Sequence, residues 1–450
     1  MSQDEGGFLI VASQWREGSS LYGDYWVDRP PVLIWLFSIP DGLGDPWALR
    51  LLGTIAAVVV VLLAARIGSL AAPDARFGAV LPAATAAIFV ATPLFGGSVV
   101  DSELLALPFV LGGVAAALAA LTSAAENQGP RVILGLAMLA GSAGVLAAMT
   151  KQSEIDVFVA LVVLVVLTRN RILLVGAVLG AALTLAVILQ LSAARGTDAG
   201  ELWNALVTFR GEAAKVIAES ASSATPARFV RLLGAFVGTA APLVIVALAL
   251  RLRTPKTHGP VDLRWVAVAL LSWEFFVVLA GGSYWLHYLM GLIPGLVVLA
   301  AAATQRPILV ERTLVLPYAA AALSTVISIA VVVLAPLDRP EVPVIDYLKA
   351  EAGPDDTVVV AFGSPNIPRS AGLDAPYEYL WSLPVRVRDN ELVEFTEVLS
   401  GEDPPTWVVT TGRPLATWGV DVTRAETVLR DRYVLMATAD RYTIFKLADQ

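Results

Sequence analysis

The chain has 450 residues, 57% of them hydrophobic and 16% charged, with a mean hydropathy of +0.71; a soluble globular protein carries far more charge, so this composition marks a polytopic membrane protein. A net charge of −8 and a pI near 5.0 exclude nucleic acid as a partner. The absence of cysteine excludes disulfides, thiolate chemistry and cysteine-ligated metal, and His258 and His287, the two histidines, do not suffice for a histidine-rich metal centre.

In chain order, the first segment is too charged to span a bilayer. Phe8, Leu9, Val11, Ala12 and Trp15 within 5–26 predict a short helix lying in the membrane interface, apolar side down. Pro30-Pro31 stiffens the chain ahead of a second apolar stretch, 32–40, which is too short to cross. About twenty apolar residues make a crossing helix. That ruler gives about ten candidates: 51–71, 78–97, 104–124, 131–150, 155–168, 172–193, 229–250, 264–281, 285–304 and 313–335. Residues 194–228, with Trp203, Phe209, Arg210 and Lys215, fit another interfacial helix. From about 341 the character becomes that of a small soluble α/β domain. Strands are expected at 357–363, 407–411, 434–439 and 442–447. Helices are expected at 343–352, 389–400 and 423–432, the last opened by a Thr423…Glu426 capping box. The expected division is therefore a membrane domain over 1–340 and an α/β domain over 341–450.

Every second loop is basic: Arg66 and Arg76; Arg131; Arg169 and Arg171; Arg251, Arg253, Lys256 and Arg264; Arg306 and Arg312. Short cytoplasmic loops collect Arg and Lys, so these belong inside. Asp4-Glu5, Asp101, Glu103, Lys151, the 194–228 loop, Tyr284–Tyr288 and the C-terminal domain then all fall outside, which makes the extracytoplasmic face the active one. Three residues ahead of Asp4 cannot cross a bilayer. Either the N-terminus reaches the outside unaided or a start codon placed too late has omitted an upstream span; the second is the expectation.

Several polar residues on that face suit chemistry on a lipid-borne group. A carboxylate such as Asp4 takes the proton of a hydroxyl as the oxygen attacks an electrophilic carbon, and Glu5 beside it orients or supports that charge; a helix cap is the alternative for either. Arg29, in Asp28-Arg29-Pro30-Pro31, is a permanent cation able to grip phosphate bidentately, or else a headgroup anchor. Asp101 and Glu103 open a span, where acids also suit the helix dipole. Lys151-Gln152, with Glu154 and Asp156, forms a polar joint suited either to a phosphate contact or to a solvated loop. Tyr284, Trp285, His287 and Tyr288 read as an interfacial aromatic belt or as the wall of a sugar pocket. Glu274 is an intramembrane acid without an assigned role.

In order along the chain, these motifs resemble the GT-C superfamily of integral-membrane glycosyltransferases, in the branch of protein O-mannosyltransferases and aminoarabinose transferases. Asp4-Glu5 resembles the Asp-Glu pair of that family's first external loop. Tyr22-Gly23-Asp24 and Arg29-Pro30-Pro31 resemble its Tyr-x-Asp segment and basic-Pro-Pro turn, with Arg where Lys is frequent. Asp101 with Glu103, Lys151-Gln152 and His287-Tyr288…Pro294 resemble its later motifs. The family's first helix, ahead of the Asp-Glu pair, has no counterpart here. The resemblance implies an inverting hexosyl or pentosyl transfer from a polyprenyl-phosphate sugar to an acceptor hydroxyl of a glycan, lipid or protein of the cell envelope. Asp4 would be the base, supported by Glu5 and Asp101. Arg29, with Lys151 or Arg210, would hold the leaving phosphate. Tyr22, Asp28, Glu103, Gln152, Tyr284, His287 and Tyr288 would line the pocket. A divalent cation on Asp4, Glu5 and Asp101 stays open, because acids without His or Cys are ambiguous ligands. The competing readings are a transporter or flippase of a lipid-linked solute, which predicts inverted repeats with broken helices, and a non-catalytic envelope scaffold.

Overall fold

A computed structural model describes the chain except for residues 45, 220–223, 308–311, 336–337, 413–414, 416–418 and 449–450. The helices of the first three quarters are α1 (Gln3–Glu17), α2 (Pro31–Leu43), α3 (Pro46–Ala71), α4 (Val80–Ala91), α5 (Ser102–Ala125), α6 (Pro130–Ala148), α7 (Asp156–Thr168) and α8 (Arg171–Ala193). They continue with α9 (Ala199–Trp203), α10 (Phe209–Glu219), α11 (Ala224–Gly238), α12 (Ala241–Arg251), α13 (Arg264–Ala280), α14 (Ile293–Thr304) and α15 (Arg312–Leu334). The C-terminal part runs α16 (Glu341–Glu351), β1 (Val358–Ala361), α17 (Asn366–Ala371), α18 (Ser382–Arg388), α19 (Val393–Ser400), β2 (Trp407–Thr411), α20 (Thr423–Arg432), β3 (Tyr433–Ala439) and β4 (Tyr442–Leu447).

The chain divides into two compact units. One gathers Met1–Ala48, Leu191–Ser222 and Leu337–Gln450; the other holds Leu49–Gln190 and Ser223–Pro336. Among the described residues, six helices in the second unit and at its edges are long and apolar enough to cross a membrane, or seven if α11 and α12 form one span. This is fewer than the ten apolar runs. α4 and α7 are only 12 and 13 residues long, about 18–20 Å at 1.5 Å per residue. The run 229–250 is broken: α11 and α12 meet at 55°. Ala240 there is left-handed (φ 58°), and Pro242 in the first turn of α12 has no N–H to continue the earlier helix. The run 285–304 begins as a 3₁₀ segment, Leu286–Leu292, before Pro294 starts regular α-helix. Buried Gln305 and Arg306 fix the loop from 252 to 263. Gln305 accepts from Leu263 N–H and donates to Ala71 and Val261 carbonyls, while Arg306 pairs with Asp262 at 2.7 Å.

In the first unit, α1 is set by a capping box between Ser2 and Glu5 and stopped by Gly18 at φ 101°. It is not a helix with one wet face. Glu5 through Ala12 are all buried, because α2 covers one side and the C-terminal part the other, with Asn366 against Gly6 and Trp381 against Gly7. The C-terminal sheet has the order β1-β2-β4-β3, with β1 and β2 parallel and the other pairs antiparallel. Strand alternation sorts its core. Val359, Ala361 and Val408 face Phe395, Leu399 and Leu429 on one side. Val358, Val409 and Ile444 face Val344, Leu348 and Ile367 on the other. Each fully buried aliphatic side chain there contributes about 1.5–3 kcal/mol. The 407–411 strand and the hairpin form as expected. The Thr423…Glu426 capping box does not: Thr423 is already inside α20, and Asp421 accepts from its N–H and hydroxyl instead.

Candidate active site

The residues singled out by the sequence fall into two clusters, one in each unit. In the first unit Asp4 lies in the opening turn of α1, half-buried, and its Oδ1 accepts from Trp381 Nε1 at 3.0 Å. Glu5 is fully buried, and its carboxylate accepts from Ser2 N–H at 2.7 Å, closing the helix cap. One turn after Asp4, the Phe8 ring carries the Arg29 guanidinium 5.8 Å above its centroid. Pro30 and Pro31 hold Arg29 just ahead of α2, where Pro31 occupies the first turn and gives up no hydrogen bond by lacking an N–H.

Asp28 ties this turn to α10. It accepts from Arg29 Nη1 at 2.6 Å and pairs with Arg210 Nη2 at 2.7 Å. Burial alone would raise the Asp28 carboxyl, but Arg210 and then Arg29 outweigh it and hold it below the usual carboxylate range. Tyr22 lies 6.3 Å from Trp26, ring to ring, and burial, followed by the charges of Asp28 and Glu201, pushes its phenol upward. Its hydroxyl is buried without a hydrogen-bond partner among the described residues. Trp26 packs at a tilt against Phe209, 4.5 Å between ring centres, and Arg388 lies over both rings while donating to Asn204 Oδ1 at 2.6 Å.

The second unit collects Asp101, Glu103, Lys151, His287 and Tyr288. Asp101 caps α5 by accepting from Leu104 N–H at 2.9 Å, and its Oδ2 lies 3.9 Å from His287 Nδ1. Glu103 accepts from Lys151 and from Ser102 Oγ, with His287 Nε2 at 3.6 Å. Lys151 also lies 3.8 Å from Glu154 and 5.1 Å from the centre of the Tyr288 ring. Burial works against its charge, but Glu103, Glu154 and Tyr288 outweigh it, so its affinity for the proton is raised. Glu154 goes the other way: burial, and then Asp156, push its carboxyl up to about 8 despite Lys151. Gly96, at φ 90°, lets the 93–96 turn close on this cluster; a Cβ there would lie 2.8 Å from His287 Cβ.

Gln152 is half-buried in the same joint. Tyr284 does not share these contacts; its ring packs edge-on against Phe229 at 5.0 Å. Two residues without a role in the sequence reading are now placed. Glu274 accepts from Gly295 N–H at 2.7 Å, and Trp273 beside it donates to Ser153 O at 3.2 Å, so α13 fastens both sides of the cluster. Trp381 was not foreseen at all. Its partner Asp4 lies 377 positions away, and no local pattern marks it. Among the described residues no group of three or more His, Cys, Asp or Glu side chains is placed to hold a metal ion.

No protein-family profile and no curated protein matches the chain. Its fold does match solved structures. ArnT from Cupriavidus metallidurans, solved bound to undecaprenyl phosphate, is 15% identical, over 100% of this chain and 95% of that one, with a TM-score of 0.67. The arabinofuranosyltransferase AftD from Mycobacteria is 13% identical, over 98% and 39%, at 0.52. The Archaeoglobus fulgidus oligosaccharyltransferase, solved tethered to an acceptor peptide, is 10% identical, over 96% and 68%, at 0.50. At such identity the likeness is one of fold. The chain has the GT-C fold of multi-pass membrane glycosyltransferases, with a small C-terminal α/β part.

Proposed function

We propose that this chain is an inverting glycosyltransferase that moves a sugar from a polyprenyl-phosphate donor to an acceptor hydroxyl on the extracytoplasmic face of the membrane. The observation that carries this reading is the gathering of Arg29 and Arg210 on the single carboxylate of Asp28, in the unit that also holds Asp4. ArnT, which shares the fold, binds undecaprenyl phosphate, and two guanidinium groups beside an aromatic wall suit the same headgroup chemistry. The alternation of basic loops supports the outer face as the site of reaction.

In this mechanism the Asp4 carboxylate takes the proton of the acceptor hydroxyl. The freed oxygen pair forms the new bond to the anomeric carbon from the side opposite the phosphate. The old carbon–oxygen bond breaks, and its electron pair leaves on the polyprenyl phosphate. Arg29 and Arg210 balance the charge that develops there, which a poorly hydrated site makes worth several kcal/mol. Asp28 keeps the two cations together before the donor arrives, lowering the reorganisation needed at the moment of transfer. His287, Lys151 and Glu103 form a separate polar assembly, in the other unit. Inversion follows from one displacement without a covalent sugar–enzyme intermediate.

The test is Asp4→Asn in membranes supplied with lipid-linked sugars labelled through radioactive glucose. Transfer of label from lipid to a non-lipid or larger acceptor should be abolished at unchanged protein level. Undiminished transfer removes Asp4 as the base.

A further inference from the structure

The α/β part reaches back to the first turn of the chain, and it does so at the carboxylate assigned to proton transfer. Trp381, just ahead of α18, donates its indole N–H to Asp4 Oδ1 at 3.0 Å. The indole lies 5.5 Å from the Phe8 ring, which is also the ring beneath Arg29. Gly7 makes room for it: a Cβ at that position would overlap the indole ring. Three further contacts hold the same two segments together. Gln3 Nε2 donates to Ser364 Oγ at 3.0 Å, Asn366 lies against Gly6, and Arg369 pairs with Asp41 of α2 at 2.7 Å. All of these residues belong to one unit.

A carboxylate in the first turn of a helix can occupy more than one staggered rotamer, and a general base works only within hydrogen-bond reach of its proton donor. Trp381 N–H is the one hydrogen bond that the Asp4 side chain makes among the described residues. An indole has a single donor and no acceptor, so it engages one carboxylate oxygen and takes no proton from the other. We infer that Trp381 is the positioning residue for Asp4, locking one oxygen so that the other meets the acceptor hydroxyl, with Gly7 as the space that admits the ring. This rests on the reading of Asp4 as the base. It gives the C-terminal part a share in the transfer step itself, distinct from any role in recognising an acceptor.

The experiment uses the full chain in nanodiscs with a lipid extract from host membranes labelled through radioactive glucose. Trp381→Phe keeps an aromatic ring and removes the donor. It should lower kcat about tenfold, as expected for one hydrogen bond to a charged group, and leave the donor KM within about twofold. Gly7→Ala should cause a similar loss by displacing the indole. The double variant G7A/W381F should be no slower than W381F, since a phenyl ring leaves space for the added methyl. The indole N–H proton resonance of Trp381, assigned by its absence in W381F, should move in D4N whether or not turnover is measured. A kcat for W381F within twofold of the parent, beside an inactive D4N, overturns the positioning role and leaves the base in place. Multiplied losses in the double variant overturn it too, as does an indole resonance unmoved in D4N. Full transfer by D4N sinks the base itself, and the positioning role with it.

Discussion

Asp28 and Arg210 meet at 2.7 Å, joining the loop ahead of α2 to α10 across a long separation in sequence. The same carboxylate holds Arg29 at 2.6 Å, but the two cations are not equivalent: the Arg210 side chain is 43% exposed and that of Arg29 24%. Solvent screens the more exposed charge and weakens its hold on a ligand. Arg29→Ala should therefore lower kcat/KM for the donor about tenfold, the size of one charge-assisted hydrogen bond, with kcat falling too because the charge it balances develops in the transition state, and Arg210→Ala should lower kcat/KM two- to threefold. Arg29→Lys should fall between, because it keeps the charge and loses the planar fork. Initial rates against donor concentration check this, and equal effects of the two alanine variants would contradict the ranking.

Much of this fold was legible in the residues because apolar runs and period-two strands are local signals. The 407–411 strand is bounded by Pro404-Pro405-Thr406 and Gly412, and the hairpin turns at Asp440-Arg441, signals that need no tertiary information. What local pattern does not carry was decided by geometry at a distance. Ala240 turning left-handed ahead of Pro242 breaks one apolar run that hydropathy reads as continuous. Asp421 takes over the cap that the Thr423…Glu426 spacing suggested. The grouping of 1–48, 191–222 and 337–450 as one unit arises from contacts such as Asp4–Trp381 and Asp28–Arg210, which join segments with no common pattern. In the candidate site, types and order of residues were readable, whereas the pairing of Lys151 with Glu103 rather than with solvent was not.

The joint between α6 and α7 should show its own pH dependence. Burial and the neighbouring Asp156 push Glu154 from an ordinary 4.5 up to about 8. Below about 4.5 the group is protonated in both the folded and the unfolded chain. Between those values the unfolded chain releases the proton and the folded chain keeps it, so stability falls as pH rises, and the loss is complete above about 8. Glu154→Gln cannot ionise and should remove this part of the decline. Unfolding in detergent at pH 5 and pH 8.5 should show the variant gaining on the parent at the higher pH; a constant difference would mean that Glu154 titrates normally.

The sidedness of the chain is a separate question with a simple readout. The proposed topology, with the basic loops inside, predicts that the α/β part lies outside. A fluorescent or enzymatic reporter joined after residue 340 should be active only when exported, and one placed in the loop from 252 to 263 only in the cytoplasm. The reverse pattern would move Asp4 to the inner face, where a lipid-linked donor presented outside is out of reach.

Glu274 holds the start of α14 through a single backbone hydrogen bond. Its Oε1 accepts from Gly295 N–H at 2.7 Å, at the point where the 3₁₀ segment bearing His287 and Tyr288 passes into α14. That N–H is buried in the opening turn of α14, where no carbonyl of α14 itself can accept it. Glu274→Leu strands it at a cost of about 1–3 kcal/mol, and Glu274→Gln, whose amide oxygen accepts equally well, should stay within about 1 kcal/mol of the parent. Gly295→Ala should also destabilise, because its methyl group would occupy the space of the Glu274 carboxylate. Reversible unfolding in mixed micelles measures the three variants side by side. If Gln proves as damaging as Leu, the role of Glu274 lies in its charge and not in holding the start of α14, and the support it lends to His287 and Tyr288 must come from elsewhere.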